Sequence, residues 1–166
     1  MKTRGGQMIR TFVFTMIVAS FCIPALADIH PVVPDPDMTP GELCDTKDPD
    51  FKEYRYREKI PYCQRDVSRA RKTQIYLNYS VSLKKRNQYT IDHFIPLSIG
   101  GDNSDENLWP EHKEIKKLRQ NLELDVFESL RDGYITQEEA IEMIIEAKLN
   151  PPLEISVFEG ILYTKN

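Results

Sequence analysis

The sequence predicts an α+β domain stapled by one disulfide, and three observations lead to this prediction. Short apolar runs separated by turn residues occupy the middle of the chain, where strands are expected. Towards the C-terminus, two stretches repeat apolar residues every three or four positions, which is typical of amphipathic helices. Two cysteines, Cys44 and Cys63, remain once an N-terminal leader is set aside.

The N-terminus has the pattern of a secretory signal peptide. Three basic residues precede an uncharged stretch, residues 11–27, which ends in the small-x-small pattern of a signal-peptidase site. The apolar centre of this stretch is short for a bilayer span, although an uncleaved anchor is the alternative. We expect residues 1–27 to be removed after Ala27, which gives a periplasmic or secreted protein that does not contact the membrane afterwards.

The remaining chain is long enough for one compact domain, which we expect to be a monomer. The leader holds three basic residues and no acidic ones, so the chain without it has 19 Lys and Arg against 26 Asp and Glu, a net charge of −7. This excess of acid argues against binding of nucleic acid, but the charges are unevenly distributed. Between residues 65 and 86 lie seven basic residues and one acidic residue.

Cys44 and Cys63 predict a disulfide. Cys22 leaves with the leader, and a lone pair of cysteines in an oxidising compartment usually forms a bond. Closing a loop of about twenty residues would stabilise the fold by roughly 3 kcal/mol. A zinc site is the alternative, but two cysteines this far apart without nearby histidines are a poor one.

The chain divides into four predicted parts. Residues 28–40 are rich in proline and predict an extended, weakly ordered linker. Residues 41–150 form the domain, with helices from Asp66 or Ser68 to about Asn78, from about His112 to Leu130, and over about 137–149. Thr136 and Glu139 predict a capping box for the last helix, and Gly133 ends the helix before it. Residues 151–166 form a tail or an edge strand.

Basic residues point to phosphate contacts at two places. One is the run over residues 65–86, although a solvated cationic face is the usual explanation of such a run. The other is the first two turns of the predicted helix from His112, where cations oppose the helix dipole and therefore indicate a functional surface. The candidate phosphate contacts are Lys84, Lys85, Arg86, Lys116 and Arg119.

The stretch from Tyr89 to His112 predicts a strand, a Gly-Gly loop and a second strand, with a helix that starts near His112. Asp92 and His93 end the first strand and can take different roles, because successive side chains on a strand point to opposite faces. A carboxylate offers a hard oxygen to a cation, and a neutral imidazole can accept a proton from water. With His112 closing the metal site, the pattern predicts metal-assisted hydrolysis.

This stretch resembles the HNH endonucleases, which have the ββα-metal fold. The resemblance rests on a succession of motifs: Ile91-Asp92-His93, Ile95-Pro96-Leu97, Gly100-Gly101, Asn103, Asn107-Leu108-Trp109 and His112. Small exported bacterial HNH proteins are similar over most of the chain, from about Thr39 to the last predicted helix. The resemblance implies a ββα-metal centre with flanking helices.

The resemblance also implies roles for four residues. Asp92 and His112 would be ligands of one divalent metal ion, for which Mg, Mn, Zn and Ni are all suitable. His93 would be the general base, and Asn107 would pin the loop that orients it. The chain departs from the family at one point. Many members place the last ligand further into the helix, where this chain has lysines, so that Glu111 stands in as a second candidate.

Each of these residues also has a structural interpretation. Asp92 and His93 could form a surface ion pair, Asn103 and Asn107 could be turn residues, and His112 could simply begin a helix. Trp109 is expected in the core.

The predicted function is an exported, metal-dependent endonuclease that hydrolyses phosphodiester bonds in nucleic acid, DNA first and RNA second, with little sequence specificity. The resemblance implies 5′-phosphate products. The alternative is a catalytically inactive HNH-like envelope or nucleic-acid-binding protein. A toxin domain ranks last, because the larger delivery domains of such proteins are missing from this sequence.

Overall fold

The protein has two small antiparallel sheets and four helices, as a computed structural model that describes residues 30–151 shows. The α+β prediction is therefore confirmed. The predicted leader and the predicted C-terminal tail lie outside the described residues, apart from Pro151. No helix in the described part is long and apolar enough to cross a membrane. The elements are β1 Phe51–Arg55, β2 Ile60–Cys63, α1 Arg69–Asn78, β3 Tyr89–His93, β4 Leu108–His112, α2 Lys113–Lys117, α3 Leu122–Asp132 and α4 Gln137–Leu149.

The β3–β4 pair is the frame of the molecule. Tyr89 pairs with His112 and His93 pairs with Leu108, so the two strands run antiparallel over their full length. The loop between them turns at Gly100, whose φ of 100° is in the left-handed region that glycine tolerates. A Cβ on Gly101 would collide with the carbonyl oxygen of Ile95, which explains why the loop carries a second glycine.

The β1–β2 hairpin is closed by the predicted disulfide. Cys44 and Cys63 are bonded at 2.02 Å, with their Cα atoms 5.7 Å apart. Both are buried, and Cys63 ends β2 opposite Phe51. The disulfide prediction is confirmed.

Helices α1 and α4 begin where their caps predict. The Ser68 side chain accepts a hydrogen bond from the Arg71 amide at 3.1 Å, which satisfies a donor that the first turn leaves free. The Thr136 hydroxyl accepts from the Glu139 amide at 3.2 Å, while the Glu139 carboxylate accepts from the Thr136 amide at 2.7 Å. This is the predicted capping box. Gly133 ends α3 with a φ of 77°.

The helix predicted from His112 to Leu130 is wrong as a single element. His112 is the last residue of β4, and the chain then forms the short α2 and the separate α3. Between them, Leu118, Arg119 and Leu122 each donate to the carbonyl three residues earlier, which tightens the chain and ends the α-helical pattern. This turn lets the Arg119 side chain fold inwards onto Glu111, a long-range ion pair that helical periodicity does not reveal.

The proline-rich segment is packed against the domain from residue 30 to residue 40, unlike the weakly ordered linker that its composition predicts. Thr39 is buried, and its hydroxyl lies 2.7 Å from the Tyr79 hydroxyl. The Tyr89 hydroxyl donates to the His30 carbonyl at 2.9 Å. Two tyrosine hydroxyls therefore hold the segment, and nothing in the local composition announces these contacts.

Two apolar clusters make the core. One joins α1 to the β3–β4 pair and includes Ile75, Tyr79, Ile91 and the fully buried Trp109, which was expected in the core. The other lies between the β3–β4 loop and the α3–α4 pair, and its buried members are Ile60, Ile95, Ile99, Val126, Leu130, Ala140 and Ile144. The β3–β4 pair contributes to the first cluster and its loop to the second. The polar residues of the two strands therefore lie between the two clusters.

Candidate functional site

The polar residues of the β3–β4 pair divide into a histidine side and a carboxylate side. His93 is the last residue of β3, and Asp92 precedes it, so their side chains leave the strand in opposite directions. On β4, Glu111 lies opposite Thr90, two residues from Asp92 and therefore on the same face as Asp92.

The His93 ring is held at both nitrogens. Its Nδ1 lies 3.0 Å from a guanidinium nitrogen of Arg65, and its Nε2 lies 2.9 Å from the side-chain oxygen of Asn103. A guanidinium has donors only, so Nδ1 accepts, and the Nε2 proton is donated to Asn103. Only 3% of the residue is exposed. Burial lowers the pKa of His93, the Asn103 hydrogen bond raises it, and the Arg65 charge lowers it further. The neutral ring is therefore favoured.

Asn103 is itself fixed by residues on either side of the β1–β2 hairpin. Its side-chain nitrogen donates to the Gln64 carbonyl at 2.9 Å and to the Asp50 carboxylate. Arg65 also donates to the Ile91 carbonyl at 3.0 Å. The sequence interpretation missed both histidine partners, because it placed Asn103 in an ordinary turn and Arg65 in a basic run. The Asn103 position within the Gly-Gly loop was the available signal.

Asn107 pins the loop. Its side-chain oxygen accepts from the Ile95 amide at 2.8 Å, and its nitrogen donates to the Ile95 carbonyl at 3.0 Å and to the Asp102 carbonyl at 2.9 Å. The residue is fully buried. These bonds tie the start of the loop, just after His93, to its far side. The contribution of Asn107 to catalysis stays a prediction.

On the carboxylate side, Asp92 and Glu111 meet one ammonium. Lys116 contacts Asp92 directly, and its Nζ lies 3.4 Å from Glu111 Oε2. Burial raises the pKa of Glu111 to about 7, and the neighbouring Asp92 raises it too. Burial alone would raise the pKa of Asp92, but hydrogen bonding to Glu111 and the charges of Lys148 and Lys116 outweigh it and hold that pKa well below its usual range.

The structure does not bring His112 to Asp92, so the expected convergence of these two side chains on one ion is corrected. His112 pairs with Tyr89, three residues from Asp92, and therefore faces the other side of the sheet. Its ring packs edge-on against the Tyr89 ring at 4.9 Å, and its Nδ1 accepts from the Glu114 amide at 3.3 Å. The expectation treated His112 as a helical residue, whereas the strand fixes its direction.

The predicted phosphate contacts lie in two different settings. Lys84 is exposed, Lys85 is half-buried, and the Arg86 guanidinium lies 5.0 Å from the centre of the Tyr76 ring. Lys116 and Arg119 pair with Asp92 and Glu111; the Arg119 side chain is 7% exposed, whereas the Lys116 side chain keeps 41% of its surface exposed. The exposed face of α1 and the loop after it offer cationic surface to a polyanion, and Lys113 and Lys117 of α2 are exposed as well.

The sequence interpretation also missed Lys148. This residue of α4 is 1% exposed, and its ammonium donates to the His93 carbonyl and contacts Glu123, both at 2.7 Å. A lysine on the apolar face of a helix was the available signal. It links the last described helix to the backbone of the candidate base.

A solvent groove of about 420 Å³ lies beside Arg65, whose guanidinium contacts His93. Arg65 forms part of its wall, and the other lining residues are Pro49, Asp50, Phe51, Lys52, Gln64 and Asp66. A smaller cavity of about 50 Å³ lies on the carboxylate side between Glu111, Arg119 and Lys148.

Within residues 30–151, one group of at least three metal-ligand side chains brings its donor atoms within 4.8 Å of one another: Cys44, Asp48 and Cys63. This group could hold an ion only with the disulfide open, because a disulfide sulfur is not a thiolate. It is separate from Asp92.

Comparison with protein-family models, curated proteins and solved structures gives no match.

Proposed function

We propose that the protein is a metal-dependent phosphodiesterase acting on nucleic acid, with Asp92 and Glu111 as the metal ligands. The observation that carries the proposal is the meeting of these two carboxylates at one cationic group, Lys116, on the strand pair that also carries His93. Glu111 replaces His112, which lies on the face opposite Asp92, the face that also carries His93. His93 ends β3, so the proposal requires a phosphate at the end of this strand to reach both His93 and a metal at Asp92.

The donor atoms suit a divalent cation. Glu111 Oε2 is buried, and the Lys116 ammonium lies 3.4 Å from it, a cation whose place a metal ion would take. Two carboxylate oxygens are hard donors, which favours Mg or Mn over softer metals. A bound cation would supply charge neutralisation at the phosphoryl oxygens and at the leaving oxygen.

The residues of this chain supply the proton transfer. His93 is neutral with a lone pair on Nδ1, which is the form that accepts a proton from water. Asn103 holds the Nε2 proton and so fixes the tautomer. Asn107 and Lys148 fix the backbone around His93 through the loop and the His93 carbonyl. Exposed cations on α1, such as Arg69 and Lys72, would contact the phosphate backbone with little sequence preference.

A plasmid-cleavage assay with a panel of divalent cations, with and without chelator, tests the proposal. We expect metal-dependent nicking that His93→Ala abolishes and Glu111→Gln reduces at least about a hundredfold. Glu106→Gln is the matched control, because this carboxylate is exposed. Full cleavage by the Glu111 or His93 variant, or no cleavage by the wild type with any cation, would refute the proposal.

A nucleic-acid-binding protein that does not cleave is the second candidate. It is favoured by the observation that Lys116 already neutralises Asp92, while Arg65 and Asn103 engage both nitrogens of His93. For this function, salt-sensitive binding without nicking is the expected result. Export remains part of both proposals, and the disulfide fits an oxidising compartment.

A further inference from the structure

The contact between Arg65 and His93 raises a question about the proposed base. Nδ1 carries the only lone pair of the ring, because Nε2 donates its proton to Asn103. The Arg65 guanidinium covers this lone pair at 3.0 Å. For His93 to accept a proton from water, one of its two partners has to leave.

Asn103 is the partner that stays. It is 4% exposed, and its side chain is also bonded to the Gln64 carbonyl and to Asp50. Losing it would leave several buried polar groups unpaired, each at a cost in stability.

Arg65 is the partner that can move. It is an exposed residue in the segment that precedes α1, and it lines the groove of about 420 Å³. Its two hydrogen bonds go to neutral acceptors, His93 Nδ1 and the Ile91 carbonyl. A phosphate oxygen is an anionic acceptor, so a guanidinium bonds to it more strongly than to a neutral ring nitrogen or carbonyl.

We propose that Arg65 is a phosphate-responsive cap on His93. In the free protein its guanidinium masks Nδ1. When the backbone of a nucleic acid enters the groove, the guanidinium turns to a phosphate oxygen and frees the lone pair for water. This assignment rests on the proposed role of His93 as the base, and it makes Arg65 both a substrate contact and a positioning residue.

The groove suits a phosphodiester better than a free carboxylate metabolite. Lys52 also lines the groove and adds a second cation, while the Asp50 and Asp66 carboxylates, which line it too, would repel an anion placed beside them. A chain of phosphates crossing the groove could reach Arg65 from outside and continue along the exposed cations of α1. The base therefore becomes available only when a polyanion is present.

The test is nitrogen-detected NMR of the histidine rings in chelator, where no cleavage occurs. The probe is a short single-stranded DNA oligonucleotide. We expect the free wild-type protein to show the His93 proton on Nε2 and a hydrogen-bonded Nδ1. Adding the oligonucleotide should move the Nδ1 signal towards the value in free Arg65→Ala, while His30 and His112 serve as internal references.

Two variants make the result specific. Arg69→Ala removes an exposed cation four residues away that has no contact with His93, so it should keep the Nδ1 response even if binding weakens. Arg65→Lys keeps the charge but not the paired donors and should give a smaller response. Urea unfolding of each variant checks that the fold is retained.

A His93 Nδ1 signal that the oligonucleotide leaves unchanged, with or without shifts elsewhere in the groove, would overturn the inference. So would a free Arg65→Ala protein whose Nδ1 signal equals that of the wild type. If cleavage is found, Arg65→Ala should raise KM by about tenfold with little loss in kcat. A positive NMR response without any cleavage would keep the phosphate cap and reject only the enzyme.

Discussion

Replacing Asn107 by alanine should be among the most destabilising single changes in the described part of the molecule. The substitution removes three buried hydrogen bonds, at 2.8, 3.0 and 2.9 Å, and leaves the Ile95 amide and two carbonyls without these partners. A buried polar group left unpaired costs about 1–3 kcal/mol, and carbonyls cost less than amides. Adding the small cavity gives an expected loss of about 3–5 kcal/mol.

Asn107→Asp should be as damaging or worse, although it keeps the shape. A carboxylate oxygen would then face the carbonyl oxygens of Ile95 and Asp102, where the amide now donates. This variant separates the loss of hydrogen bonds from the loss of volume.

Equilibrium urea unfolding is the appropriate measurement, because it gives the free energy of unfolding and reports any change in slope. The matched control is Asn87→Ala. Its side chain is exposed, and the change should alter stability by less than about 0.5 kcal/mol. A loss below about 1 kcal/mol for Asn107→Ala would refute the account in which this side chain ties the loop to β3.

Three further predictions concern other parts of the molecule. In chelator, the free energy of unfolding should fall as pH rises from about 4.5 to 7, by about 3 kcal/mol at most, because the raised pKa of Glu111 means that the folded state binds more protons in this window. Urea titrations at several pH values measure this slope, and Glu111→Gln should flatten it. A slope that the variant leaves unchanged would contradict the prediction. Replacing both Cys44 and Cys63 by serine should lower the free energy of unfolding by about 3 kcal/mol, since the disulfide closes a loop between residues 19 apart in sequence. A variant as stable as the wild type would show that the disulfide does not stabilise the protein by constraining the unfolded chain. Thr136→Ala should cost about 1 kcal/mol by removing half of the capping box, and thermal unfolding beside the exposed control Thr46→Ala measures it.

Local signals in the sequence were sufficient for α1, α4 and the end of α3. Ser68, Thr136 and Gly133 act within one turn of the backbone that they cap, so their effects are visible in the sequence alone. The cysteines were equally informative, because with Cys22 assigned to the predicted leader, Cys44 and Cys63 are the pair left to form a bond.

Long-range polar contacts were the features that sequence could not supply. Arg119 reaches Glu111 only because the chain turns between α2 and α3, and periodicity gives no signal for that turn. His112 was misplaced because it was expected to begin a helix. It is instead the last residue of β4, and the alternation of side chains along the strand fixes the face to which it points. The side chain that lies on the same face as Asp92 is therefore that of Glu111, the residue before His112, which the sequence offered only as a second candidate for the metal ligand.

The bond from Lys148 to the His93 carbonyl has a consequence for how the molecule opens. A buried ammonium that loses this acceptor would keep Glu123 as a partner but would remain incompletely paired, so detachment of α4 and loosening of β3 are energetically linked. Amide hydrogen exchange should therefore give the two elements one shared opening free energy, as expected for a single cooperative unit. Fluctuations of α4 would then displace the backbone of His93, the residue whose ring is proposed to accept the proton.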